Sequence, residues 1–130
     1  MFLIQFYKEV IILGLFDGMK RKDKNTLKTH HLGGCIVTRS VLSGSSRLRW
    51  LFREESHNPA DNGWRAFGDK DTQEYIDDPN NSIVVDFDRL VEIEPAVLSV
   101  FSMPVGTDLE FDADRKVFID TATGKELPLH

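Results

Sequence analysis

The sequence predicts a single α+β domain, with a mostly antiparallel sheet and two or three short helices. Three observations lead there. Strand-like segments cluster toward both ends of residues 32–130, helix-like spacing fills the stretch between them, and no internal repeat divides the chain. A length of 130 residues suits one core of ordinary size but leaves two marginal. The 41% hydrophobic and 28% charged residues are those of a globular chain.

The elements follow in order. Cys35 to Leu42 reads as a strand, and Ser43-Gly44-Ser45-Ser46 is a small polar turn, which suggests a hairpin into the next strand. There Leu48, Trp50 and Phe52 alternate with Arg47, Arg49 and Arg53, so the apolar set is expected to face inward and the arginines outward or onto carboxylates. Glu54 to Asn62 is a polar loop, Asn62-Gly63 favours a turn with positive φ, and Trp64 to Phe67 resumes as a short strand. Asp71 to Asp78 reads as a short helix, with Asp71 as N-cap, Glu74 three residues on, and Pro79 ending it. The β-branched run Ile83-Val84-Val85 predicts a central strand. Phe87, Leu90, Val91 and then Val97, Leu98, Phe101 keep helical spacing on either side of Pro95, predicting two short helices. Thr107 to Phe111 and Lys116 to Asp120 form a closing hairpin about Asp112-Ala113-Asp114-Arg115.

Residues 1–31 differ from the rest. Phe2 to Phe16 is rich in large apolar side chains but is interrupted by Lys8 and Glu9, so no uncharged stretch approaches the ~20 residues of a membrane span. The basic cluster Lys20-Arg21-Lys22 with Lys24 and Lys28 follows the apolar part, the reverse of a secretory signal. Three readings stay open: an interfacial helix meeting anionic lipid through residues 1–28, a helix docking on the domain, or a true start nearer Leu13 or Met19. A dispensable tail is the favoured one. Charge divides the chain at the same place, with a net of +3 over residues 1–31 and −8 over 32–130. An acidic body is a poor partner for nucleic acid, which needs a basic footprint.

Candidate chemistry is sparse. Cys35, the lone cysteine, sits in the apolar run 33–37 and is expected to be a buried thiol, with a reducing cytoplasm as its compartment. His30 and His31 precede a double glycine and read as solvated linker, and His57 stands alone in its loop. Phosphate-cradling glycine loops and Cys-x-x-Cys pairs are absent from the sequence, and Asp69-Lys70-Asp71-Thr72-Gln73-Glu74 lacks the glycine of a calcium loop. The expectation is therefore no catalytic residue, no metal and no cofactor. Two features suggest binding. One is the loop bearing Trp50, Arg53, Glu54, Glu55, Asp61 and Trp64, whose carboxylates could equally be held by Arg53 or Arg65 in a structural salt bridge. The other is acidic density: residues 69–94 carry nine carboxylates, Asp77, Asp78, Asp86 and Asp88 among them, against Lys70 and Arg89. Such a surface is either solvated or complementary to a basic partner.

Several segments, taken together, resemble the bacterial immunity-protein-33-like domain: Leu48-Arg49-Trp50-Leu51-Phe52-Arg53-Glu54-Glu55, then Asp61-Asn62-Gly63-Trp64-Arg65-Ala66-Phe67-Gly68, Glu74-Tyr75-Ile76, Asp78-Pro79-Asn80-Asn81 and Met103-Pro104-Val105-Gly106-Thr107. The resemblance covers about residues 33–120. It implies a non-enzymatic cytoplasmic inhibitor that binds a toxin domain, and carries no catalytic residues with it. On that reading the acidic 69–94 surface and the tryptophan-bearing loop cover a basic toxin site, with Trp and Arg as energetic anchors. The alternative is a stand-alone housekeeping domain that binds a small ligand or tethers a complex, at the membrane if residues 1–28 contact it.

Overall fold

The computed structural model describes residues 32–128; the readings made for the first 31 residues lie outside it. The architecture is α+β: a six-stranded sheet in the order β4-β1-β3-β2-β5-β6, antiparallel except for the β1–β3 pair. The strands are β1 (Gly34–Thr38), β2 (Leu48–Arg53), β3 (Asp61–Gly68), β4 (Ser82–Asp86), β5 (Asp108–Asp112) and β6 (Val117–Asp120). Three short helices connect them, α1 (Arg39–Ser43), α2 (Gln73–Asp77) and α3 (Phe87–Ile93), with 3-10 turns at Pro79–Asn81 and Pro95–Val100.

The main core lies on one face of the sheet. Cys35 and Val37 of β1, Leu51 of β2, Trp64 and Ala66 of β3, and Leu109 and Phe111 of β5 point there. Phe87 and Leu90 of α3 and Val97 and Val100 of the following 3-10 turn close over them. Period-2 alternation puts every second residue of β1, β5 and the second half of β3 on that face. Pro95 splits what would be one helix in two, because it cannot donate the amide a helix interior needs, and Glu94 caps the new start by accepting from the Ala96 amide.

Several expectations need correction. The Cys35–Leu42 segment is not one strand: β1 ends at Thr38 and α1 follows, closed by Gly44 at φ 86°. A short apolar run does not distinguish strand from helix by periodicity, and here a tertiary anchor decides. Asp71 accepts hydrogen bonds from the Thr38 and Ser40 hydroxyls and from the Gly68 amide, turning the chain out of the sheet. Asp71 is accordingly not the N-cap of α2; Thr72 is, accepting from the Tyr75 amide at 3.1 Å. The expected β1–β2 hairpin is also absent, since β3 is inserted between those strands.

Along β2 the alternation breaks. Leu48 pairs with Gly68 and Trp50 with Phe67, so Arg49 is an extra residue in a bulge. The bulge shifts parity by one, and Leu48 and Leu51, rather than Leu48, Trp50 and Phe52, enter the main core. Trp50 and Phe52 face the opposite side, where Phe52 meets Phe67 edge-on at 5.5 Å. Ile83-Val84-Val85 forms a strand as expected, but at the sheet edge rather than its centre, and each of the three is only half-buried.

Candidate protein-binding surface

The loop that joins β2 to β3 is organised by one buried arginine. Arg65 is fully inside the protein, and its guanidinium meets Asp61 with two hydrogen bonds of 2.9 Å and Glu54 with one of 2.7 Å. Four residues of regular strand span ~13 Å, too far for that pairing, so the backbone must shorten. It does so at Gly63, whose φ is +90° and which lies inside β3 rather than in the expected turn. Between the pairs Gly34–Asp61 and Ile36–Arg65, β3 holds two residues more than β1. The Asp61 carboxylate accepts from the Gly63 amide at 2.7 Å and the His57 amide at 2.8 Å as well, tying the middle of the loop to the start of β3.

Electrostatics agree with this geometry. Burial pulls the Arg65 pKa down, but the hydrogen bonds and charge of Asp61, then those of Glu54, outweigh it, and the guanidinium is held above its ordinary value. Glu54 and Asp61 are thus both engaged by the one Arg65 guanidinium. Of the two alternatives open in the sequence, Arg65 rather than Arg53 holds these carboxylates. Arg53 instead donates to three backbone carbonyls, of Asn62, Phe101 and Met103, and lies 5.6 Å from the centre of the Trp64 ring. Trp64 is wholly buried, its indole N–H donating to the Phe101 carbonyl at 3.0 Å.

The two tryptophans therefore lie on opposite faces of the sheet. Trp64 belongs to the core and cannot touch a partner in this fold. Trp50 is half-exposed, with the Arg49 guanidinium 5.0 Å from its ring centre and anchored to Glu110 at 2.6 Å. Just past the end of β2, Glu55 is exposed while Glu54 is turned inward onto Arg65. Beside Trp50 is a groove of about 330 Å³, whose charged walls pair among themselves, Arg47 with Asp114 and Arg49 with Glu110.

The acidic stretch 69–94 does not form one continuous face. Asp71 holds β1 to β3, and Glu94 caps a 3-10 turn and pairs with Lys116. Asp77 and Asp78 are exposed and precede β4, whereas Asp86 and Asp88 stand at its far end. Two carboxylate pairs therefore bracket a single edge strand, an arrangement that spacing in the sequence could not reveal.

Cys35 is fully buried, and burial pushes its thiol well above the ordinary range, so no thiolate is available for nucleophilic chemistry. Among the described residues no His, Cys, Asp and Glu cluster has the geometry to hold a metal ion, and no helix is long and apolar enough to cross a membrane.

Fold and surface together define a small α+β domain whose interior charges brace a loop and whose acidic side chains border a sheet edge. Its family is specific: the Immunity protein Imm33 domain matches residues 35–121, and the chain belongs to that family. Comparison with curated proteins and with solved structures gives no significant match.

Proposed function

We propose that this chain is a cytoplasmic immunity protein that neutralises a toxin domain by direct, stoichiometric contact, without chemistry of its own. Family membership over residues 35–121 supplies the class, and the commitment of Glu54 and Asp61 to Arg65 is the observation that favours binding over catalysis. The partner we infer is a basic toxin domain rather than a nucleic acid. Asp77, Asp78, Asp86 and Asp88 attract it, and exposed Glu55 and half-exposed Trp50 extend the contact surface. Arg53, Glu54, Asp61 and Trp64 act indirectly, by keeping the β2–β3 loop in shape. Oppositely charged surfaces accelerate encounter and reject wrong partners.

The test is co-expression with the C-terminal domain of a large secreted protein encoded beside this chain. A stable complex that restores growth supports the reading. Growth arrest with no complex for every such neighbour contradicts it.

A further inference from the structure

The centre of the sheet is buried on both faces. Opposite the main core, the pairings Ile36–Arg65, Phe52–Arg65 and Trp50–Phe67 set Ile36, Arg65, Phe67 and Phe52 side by side on the three neighbouring strands β1, β3 and β2. Ile36, Arg65 and Phe67 are 0% exposed and Phe52 is 5% exposed. None of the three apolar side chains belongs to the main core.

The described elements offer little to cover this second face. Val41 of α1, Phe87 and Leu90 of α3, and Val97 and Val100 of the 3-10 turn all pack into the main core, and Phe101, Met103 and Leu127 pack against it. That leaves α2, a single turn from Gln73 to Asp77 whose buried side chain is Ile76. At ~1.5 Å per residue α2 is ~7.5 Å long, whereas the buried patch runs about 10 Å across the strands and about 7 Å along them. Phe52 and Phe67 meet edge-on within the layer and do not roof each other. One isoleucine does not shield two phenylalanines, a second isoleucine and a guanidinium, since a single aromatic ring buries roughly 150–250 Å².

Three observations point to where the rest of the cover comes from. Residues 1–31 precede the described chain, and Phe2 to Phe16 is their apolar part. They join it beside this patch: the Leu32 carbonyl accepts from the Asn62 side chain at 2.8 Å, next to the Gly34–Asp61 pair at the start of β1 and β3. Reach is sufficient, because Phe2 to Phe16 extends ~22 Å even at the ~1.5 Å per residue of a helix. Charge selects the same occupant. The net +3 of residues 1–31 is drawn to the net −8 of residues 32–130, while a second acidic body is repelled.

We propose that Phe2 to Phe16 lies over Ile36, Phe52 and Phe67 and completes a second apolar layer on the sheet, with residues 17–31 leading back to β1. The segment is then part of the folded domain and not a dispensable tail. It lies outside residues 35–121, so the cover is built from residues beyond the family match. Half-exposed Trp50, on the same face of β2, marks where the cover stops. The proposal does not depend on the immunity reading.

The test is NMR of the isotope-labelled full chain. Nuclear Overhauser contacts are expected from the Ile36 methyls and the Phe52 and Phe67 rings to side chains of residues 2–16, and in a mixture of labelled and unlabelled chains they should stay within one molecule. The I4D/I11D variant of the full chain should melt lower and bind the apolar dye anilinonaphthalene sulfonate about threefold more strongly. Absence of those contacts, or contacts only between molecules, overturns the proposal; so does a variant with unchanged melting and dye binding. Neither readout involves a toxin, so the neutralisation reading and this one fail separately.

Discussion

Arg65 and Asp61, four residues apart on one strand, form a two-pronged ion pair with both side chains wholly inside the protein. Regular strand geometry forbids this contact, and the bulge centred on Gly63 creates it. The β2–β3 loop, and with it the placement of Glu54 and Glu55, depends on that single departure from the ladder.

Removing one member of a buried ion pair leaves the other uncompensated, at a cost of about 3–5 kcal/mol. Asp61→Ala is therefore expected to lower the unfolding free energy by about that amount, the smaller end applying because Glu54 still holds Arg65. Replacing Asp61 and Arg65 together by apolar residues should cost clearly less than the sum of the single changes. Urea titrations of the two single variants and the double variant measure this, and strict additivity would contradict the coupling.

Gly63 has a second constraint besides its positive φ. A Cβ added there would stand 2.2 Å from the Glu54 carbonyl oxygen, a backbone atom that cannot swing away. Gly63→Ala should destabilise by more than about 1 kcal/mol and should loosen the loop locally, visible as faster exchange of the Glu54 amide that now donates to the Gly63 carbonyl at 2.9 Å. Gly124→Ala, with φ +75° but nothing within 4 Å of its Cβ, is the milder control.

Asp108 yields the pH dependence. Burial raises its pKa above the ordinary carboxylate value, and neighbouring Asp120 adds to the rise. Its Oδ1 finds no hydrogen-bond partner among the described residues. A carboxyl with a folded pKa above its unfolded one binds more protons in the native state, so its contribution weakens stability as pH climbs from about 4 through the folded value. Asp108→Asn should thus stabilise the protein at pH 7 and make no difference once both states are protonated. Thermal melts of the two proteins across pH 3 to 8 check the sign; a variant less stable at neutral pH would refute it.

Much of the fold is legible in the sequence, because element type follows local periodicity and turn chemistry: the closing β5–β6 hairpin, the helix broken at Pro95 and the strand at Ile83-Val84-Val85. What is not legible depends on long-range anchors. Asp71 lies 33 residues from Thr38, and its bond to that hydroxyl ends β1 early, yet its local sequence suits an N-cap equally well. The Arg49 bulge leaves no local signature and reverses the facing of Trp50. Trp64 and Asp61 lie in a loop-rich, polar stretch that suggests exposure, while Asp61 is buried by its pairing with Arg65 and Trp64 by its contact with the Phe87 ring and its indole bond to the Phe101 carbonyl. At the surface, the acidic density was visible as composition, but its division across the two ends of β4 required the sheet order.

If the acidic ends of β4 guide a basic toxin, their influence should be larger on association than on dissociation. Asp77→Lys and Asp88→Lys together should slow association at low salt by about tenfold and flatten its dependence on ionic strength. Asp88 stands in the first turn of α3 and Asp77 accepts from the Gln73 side-chain amide, so a modest fall in melting temperature is expected beside the kinetic effect. Stopped-flow binding to the toxin domain, with melts as control, provides the measurement; an unchanged association rate removes these carboxylates from the interface.

The central claim is neutralisation by occupancy, and a titration of toxin activity against the purified chain tests it most directly. The activity should fall linearly and vanish at one chain per toxin molecule, returning when the complex is dissociated. Loss of activity at a small fraction of that ratio, continuing with time, would reveal turnover and contradict a binding-only role.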